Sequence, residues 1–285
     1  MQQTFDVEDI LIQGDNLTFI QPRGFLSSLN IKSIWKYREL LYFLALRDIK
    51  IRYKQTIIGI AWVILQPVIT TIIFTTIFLR LGVSENIPIP YPLFAFSSFA
   101  LWYFISSAIT NCSGSLLNHS SLVTKVYFPR LIIPISAILA TFLDLFFGLI
   151  SLFIAMLIYG VMPSWHVVFI IFLIIPATIL SLGIGILTAA LNVKYRDVKY
   201  ILPFIIQIFF YISPVFYSLS MLPKESVPLW KLNPLTGVLE NFRALLFGLH
   251  FDWYSFTISV SISIGVFIFS VFVFNRMEDD FADVI

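Results

Sequence analysis

Long apolar runs alternate along this chain with short charged segments, and the runs exceed what a strand or an amphipathic helix of a soluble core needs. A bilayer crossing requires about 20 mainly apolar residues. Five runs meet that length and read as membrane-spanning helices, at about 57–79, 92–112, 131–159, 167–191 and 255–274. A sixth, 201–219, contains Pro214, which a packed transmembrane helix tolerates when neighbours satisfy the freed carbonyl. The expectation is an all-α membrane protein of six spans, with both ends of the chain on one side.

Two apolar segments do not fit that scheme. KSIWKYRELLYFLALRDIKIRYKQT, ahead of the first span, has helical periodicity: Trp35, Tyr42, Leu46, Ile49 and Tyr53 form one stripe, with Lys36, Arg47, Lys50 and Lys54 gathered beside it. This predicts an interfacial helix lying along the membrane surface. PLTGVLENFRALLFGL, between the last two spans, is short for a crossing and holds Glu240 and Arg243. It predicts a re-entrant or interfacial hairpin. In the fourth span Ser181, Gly185 and Ala189 are spaced so that another helix can approach closely.

Composition sharpens this picture. Hydrophobic residues make up 59% of the 285 and charged ones 12%, as in a polytopic membrane domain. The opening MQQTFDVEDILIQGDN is acidic and polar, without the basic and apolar regions of a cleavable signal, and residues 1–33 read as a polar extension to a membrane domain over 34–285. Cys112 is alone, which excludes an intrachain disulfide, and His119, His166 and His250 lie far apart, so no metal site is expected. Lys and Arg set the orientation. Fourteen of the 18 fall on one set of flanks, including Arg47 to Lys54, Lys125, Arg130, Lys194 to Lys199 and Arg276, so both termini are expected in the cytoplasm.

Catalytic and nucleotide-binding motifs are missing. The dipeptide Gly-Lys never occurs, so there is no phosphate-binding loop for ATP. Asp144, about midway along the third span, is the only acid buried there, and an ionised Asp at the bilayer centre costs about 3 kcal/mol. It reads as an interhelical hydrogen bond or as a proton relay, and a lone carboxyl is too little for a membrane glycosyltransferase. Arg47, Lys50, Arg52 and Lys54 suit either an anchor to anionic lipid or an anionic substrate head group. The 30 Phe, 12 Tyr and 6 Trp are far more than interfacial belts require, and an aromatic wall suits the C–H faces of sugar rings. Trp62, Trp102, Tyr103 and Tyr211 are the candidates to line such a path. LVTKVYFPR, residues 122–130, is a basic and aromatic loop on the cytoplasmic side. A pump without its own nucleotide site needs a cytoplasmic handle, and this loop is the best candidate.

Several motifs together carry a resemblance: YRELLYFLALRDIKIRYKQTIIGIAWVILQP, LVTKVYFPRLIIPISA, LNVKYRDVKYILPF, LNPLTGVLENFR and RMEDDFADVI. The chain resembles, over about residues 34–285, the permease subunit of bacterial polysaccharide ABC exporters, most closely the lipopolysaccharide O-antigen branch. The resemblance implies a homodimer of six-span subunits in the bacterial inner membrane, with two copies of a separate subunit that binds ATP and Mg. No cofactor in this chain and no nucleic-acid partner are implied. The substrate would be a polysaccharide linked to undecaprenyl pyrophosphate, or in related systems capsule or teichoic acid; a proton-coupled flippase using Asp144 is the competing mechanism. Residues 118–128 would form a coupling helix against the ATPase, with Leu122, Val126, Tyr127 and Phe128 as apolar contacts and Lys125 and Arg130 as polar ones. The interfacial helix, about 34–55 and including Tyr53, would form a cytoplasmic gate. Residues 220–254 would shape the external exit.

Overall fold

The computed structural model describes residues 31–54, 60–81, 87–278 and 281. The expected polar extension up to residue 30, the start of the first span at 57–59 and most of the closing RMEDDFADVI lie outside the described residues. Among those described the chain is helical: α1 (Ile31–Lys36), α2 (Arg38–Lys54), α3 (Ile60–Arg80), α4 (Tyr91–Asn118), α5 (Ser120–Lys125), α6 (Ile132–Ile158), α7 (Ile171–Lys194), α8 (Val198–Ile212), α9 (Val227–Lys231), α10 (Pro234–Phe247) and α11 (Trp253–Met277). A 3-10 turn, Trp165–Ile170, leads into α7.

Five helices, α3, α4, α6, α7 with its leading turn, and α11, are long and apolar enough to cross a membrane. They correspond to the five plain hydropathic runs. The expected sixth span is a helix of only 15 residues, α8, which rises about 22 Å at 1.5 Å per residue. Pro214 ends this helix rather than kinking it. The residue before a proline is driven out of the helical region, and Ser213 has ψ 148. The chain then turns aside: Asn233 Nδ2 donates to Ser213 Oγ at 2.9 Å, the Arg243 guanidinium donates to the Pro214 carbonyl, and the Tyr91 hydroxyl donates to the Phe216 carbonyl at 2.8 Å.

α4 is the central post. Its apolar stretch is 78% buried, against 11% for α3. It packs on α6 and on α7, and α7 packs in turn on α11. The small residues of α7 permit this: Ser181 and Ala189 are fully buried, and a side chain at Gly185 would run into Cys112 of α4. Phe74, Phe99, Trp102, Phe210 and Phe216 make one aromatic cluster joining α3, α4 and the end of α8.

The expected hairpin is a closed unit. Asn233 caps α10, accepting from the Leu235 N–H at 3.0 Å, Pro234 follows at the first helical position, and Gly248 ends the helix at φ 69. Asp252 caps α11 and pairs with Lys231 at 2.6 Å. Burial raises the Asp252 carboxyl, but hydrogen bonds from Lys231 and Ser255 outweigh it and hold the group below its ordinary value. A depressed folded pKa contributes stability that is complete above the unfolded value and is lost as pH falls through the folded one. Asp252→Asn keeps the cap. It is therefore expected to lower the thermal midpoint at neutral pH and to remove the part of the acid loss that sets in below 3.8, measured by thermal unfolding across pH.

Candidate functional site at the basic end of the bundle

At the basic end a second hydrophobic cluster gathers on α4 and α7 residues from four further segments: Leu44 of α2, Val123 and Phe128 of the loop, Ile132 and Ile133 of α6, and Phe274 in the last turn of α11 with Phe281 beyond it. The 122–130 loop is thus two-sided. A short helix, α5, ends at Lys125, and Val126 turns extended at φ −128, ψ 135. Val123 and Phe128 point inward at 4% and 5% exposure, whereas Val126 is 52% and Tyr127 84% exposed, with Lys125 also exposed and Leu122 half-buried.

Two of the expected contact residues turn inward in this arrangement. Phe128 is a core anchor, because the extended turn at Val126 and Pro129 face it into the bundle. Arg130 is an internal strut: its guanidinium donates to the Glu278 carbonyl and lies 5.9 Å over the Phe281 ring. The outward surface of the loop is Thr124, Lys125, Val126 and Tyr127.

α2 departs from the expected stripe in a similar way. Trp35 and Tyr42 are exposed, and the buried positions are Leu44 and Ala45. The packed face continues as Asp48 and Arg52, so its polar end hid it from hydropathy. α2 runs beside α6 rather than lying free along a surface. Asp48 sits 3.5 Å from His119, whose imidazole burial holds below its ordinary value although the Ser115 carbonyl and Asp48 pull the other way. Arg47 pairs with Asp48 at 3.3 Å, and Lys50 and Lys54 are exposed.

The next turn answers what the buried acid is for. Arg52 Nη1 donates to Asp144 Oδ2 at 2.6 Å, the Tyr53 hydroxyl donates to Asp144 Oδ1, and Ser107 Oγ donates to Oδ2 at 3.2 Å. Burial first, then the bond to Asp144, pushes the Tyr53 phenol up to about 12, so it stays a donor. Arg52 and Tyr53, expected at a head group, are engaged inward with Asp144; the exposed cations of this helix are Arg38, Arg47, Lys50 and Lys54.

Beside the pair lies a cavity of about 340 Å³ between α3, α4 and α6, with Gln66, Tyr103, Ser107, Thr110, Asn111 and Asp144 along one side and Val63, Pro67, Ala100 and Phe104 completing the wall. A second, of about 290 Å³, shares Asn111 and reaches Arg47, Arg52 and His119. The α4 residues Tyr103, Ser107, Thr110, Asn111 and Asn118 follow helical spacing on one face. That polar stripe in an apolar helix was the sequence signal for the site, and hydropathy averaging conceals it.

The four aromatic candidates do not converge. Trp102 is 6% exposed with its ring 5.4 Å from Phe210, and so is glue between α4 and α8 rather than lining. Tyr103 does line the cavity beside Asp144, its hydroxyl 2.6 Å from Thr70 Oγ1. Trp62 on α3 and Tyr211 on α8 are exposed on the two helices with the most open faces.

Comparison with known proteins adds an independent line. A family model described as ABC-2 type transporter matches residues 39–247. The chain is 28% identical over 252 residues to the O-antigen export system permease protein RfbA of Klebsiella pneumoniae, covering 87% of this chain and 95% of that one. It is 26% identical over 219 residues to the protein of the same name from Myxococcus xanthus, covering 76% and 84%. The polysialic acid transport protein KpsM of Escherichia coli is 27% identical over 208 residues, covering 70% and 78%.

Proposed function

Because the chain belongs to the ABC-2 type transporter family, we propose that it is the membrane-spanning subunit of an ATP-driven exporter that moves a lipid-linked polysaccharide out of the cytoplasm. The observation that carries this reading is the family match across residues 39–247, with relatives named for O-antigen and polysialic acid transport. The chain is a transport subunit and not an enzyme. Its lack of a phosphate-binding loop supports the reading in which a separate partner binds ATP and Mg.

In the working assembly two copies of this chain enclose the path, and two ATP-binding subunits sit against the basic end, in the inner membrane with both termini cytoplasmic. α8 with the segment to Leu219 supplies the sixth crossing once a second copy covers its exposed face. The exposed faces of α3 and α8, with Trp62 and Tyr211, turn toward that path. Lys125, Val126 and Tyr127 take the ATP-binding subunit, α2 forms the gate, and α10 dips into the outer leaflet as a re-entrant element. O-antigen on undecaprenyl pyrophosphate is the favoured cargo, because the relatives with the widest coverage carry that name. The KpsM relative keeps capsular polysaccharide as the second reading.

Reconstitution tests it directly. Vesicles holding this chain and its ATP-binding partner, loaded with undecaprenyl-pyrophosphate-linked glycan, are expected to move glycan across the bilayer only with ATP and Mg, and not with a hydrolysis-dead partner. Transport that runs on a proton gradient without ATP would instead support the flippase mechanism.

A further inference from the structure

The cluster at Asp144 joins α2 to α4 and α6, and it is built from unusual parts. Arg52 is a basic residue at the last turn of α2, 92 positions from Asp144 in sequence. Asp144 is the thirteenth residue of α6, about 18 Å along it at 1.5 Å per residue. Three donors from two other elements, Arg52 and Tyr53 of α2 and Ser107 of α4, converge on one carboxylate. Removing one member of a partly buried ion pair leaves its partner stranded, which is strongly unfavourable in a dry setting. A bond used in every cycle must nevertheless break.

The surroundings resolve that conflict. The two cavities meet at Asn111, and together they run from Arg47 and His119 at the basic end to Gln66 and Tyr103 deep in the bundle. Asp144 and Ser107 line the deeper one and Arg52 the other. Asn111 Nδ2 donates to Ser107 Oγ at 3.0 Å, tying the two cavities through the clamp. Cavities of this size with hydroxyl, amide and carboxylate groups in their walls have room and partners for water, which would raise the local dielectric and weaken the pair. In contrast, the neighbouring groove between α3, α4 and α6 on the far side of Pro67 is lined almost wholly by apolar side chains such as Ile72, Phe96, Ile150 and Ile154.

We infer that Asp144 is a positioning residue for transport: it clamps the last turn of α2 to the span bundle through Arg52 and Tyr53, and the hydrated crevice beside it lets that clamp release and re-form during the cycle. This rests on the exporter reading for its role in transport, though the clamp itself stands on the geometry. It differs from a proton relay in requiring charge complementarity between positions 52 and 144, with no proton moved.

The test uses the full chain assembled with its ATP-binding subunit and lipid-linked glycan in a bilayer. Wild type is compared with Asp144→Asn, Arg52→Gln and the charge exchange Arg52→Asp with Asp144→Arg. Spin labels at Lys50→Cys and Thr124→Cys, both exposed, in a Cys112→Ala background report where α2 sits. The single changes are expected to broaden the α2–α5 distance distribution and to reduce glycan moved per ATP hydrolysed by about tenfold, the size of one neighbour coupling. ATP hydrolysis itself is retained, and the charge exchange restores both distance and coupling. Unchanged distances and coupling in both single variants would overturn the clamp. Equal loss of hydrolysis and transport that the exchange fails to restore would also overturn it, marking a merely structural pair. Thr110→Cys in the same background is expected to react with a charged, membrane-impermeant thiol reagent while Ile150→Cys does not; protection at position 110 would overturn the release step. If the wild-type complex moves no glycan, the exporter reading fails while the distances and the thiol reaction still decide the clamp.

Discussion

The chain carrying Val126→Asp together with Tyr127→Ala is expected to lose its ATP-binding partner while remaining a folded membrane protein. Tyr127 is 84% exposed and Val126 52%, so neither supports the bundle, yet apolar side chains of that size facing water beside a basic rim are suited to a partner's groove. Burying a Val side chain contributes about 1.5–3 kcal/mol, and a Tyr anchor at an interface centre about 2 kcal/mol or more. Placing a carboxylate in the same spot adds a desolvation cost. The combined change should weaken the complex by about a hundredfold or more. Co-purification in detergent measures it, alongside the thermal midpoint of the chain alone. The contrasting variant is Phe128→Ala, only two positions from Val126, where truncation of a buried aromatic costs about 3–5 kcal/mol of the chain's own stability. Were both variants to keep the partner bound at wild-type strength, the 122–130 loop would not be the docking element.

Gly237→Ala is expected to be the most damaging single-carbon change on the opposite end. The added methyl would overlap the Ser255 carbonyl oxygen and the Ser259 hydroxyl. The first of these is backbone, held by the Asp252 cap and by Asn241, which donates to the Asp252 carbonyl at 3.1 Å and accepts from its N–H at 2.7 Å. Neither helix can yield without breaking that network. Overpacking of this kind costs about 1–3 kcal/mol, occasionally more, and here separates α10 from α11. Gly265→Ala, in α11 but facing open space, is the control, and it should stabilise the helix by about 0.5–1 kcal/mol. Thermal unfolding of the purified chain distinguishes the two, and equal midpoints would show that α10 does not pack on α11 as described.

The sequence reading and the structure part company at particular residues. Phe128 and Tyr127 are adjacent aromatics in one short loop, and no pattern in nine residues says which faces inward; the extended turn at Val126 decides it. Pro214 is compatible with a kinked span or with a helix end. The end is chosen because Arg243 and Asn233, some 20 to 30 residues later, are placed to take Pro214 and Ser213. Trp102 looks like any other ring in FALWYF, and only its burial and its tilted contact with Phe210 mark it as packing. The small-residue row of α7 was read correctly, because close helix approach depends on side-chain size alone.

What the sequence determined by itself is the all-helical membrane architecture, the five plain spans, the basic end and the transport family. Each follows from local hydropathy, from charge beside the spans, or from motif order, because a helix in lipid satisfies its own backbone and needs no distant partner to form. What only the tertiary structure decided is the partner of Asp144, the inward turn of Arg52 and Tyr53, the two faces of the 122–130 loop and the end of α8. Those depend on which helix faces meet. Side-chain bonds and buried rings are settled by packing between residues as many as 148 positions apart, and a one-dimensional pattern carries no record of that distance.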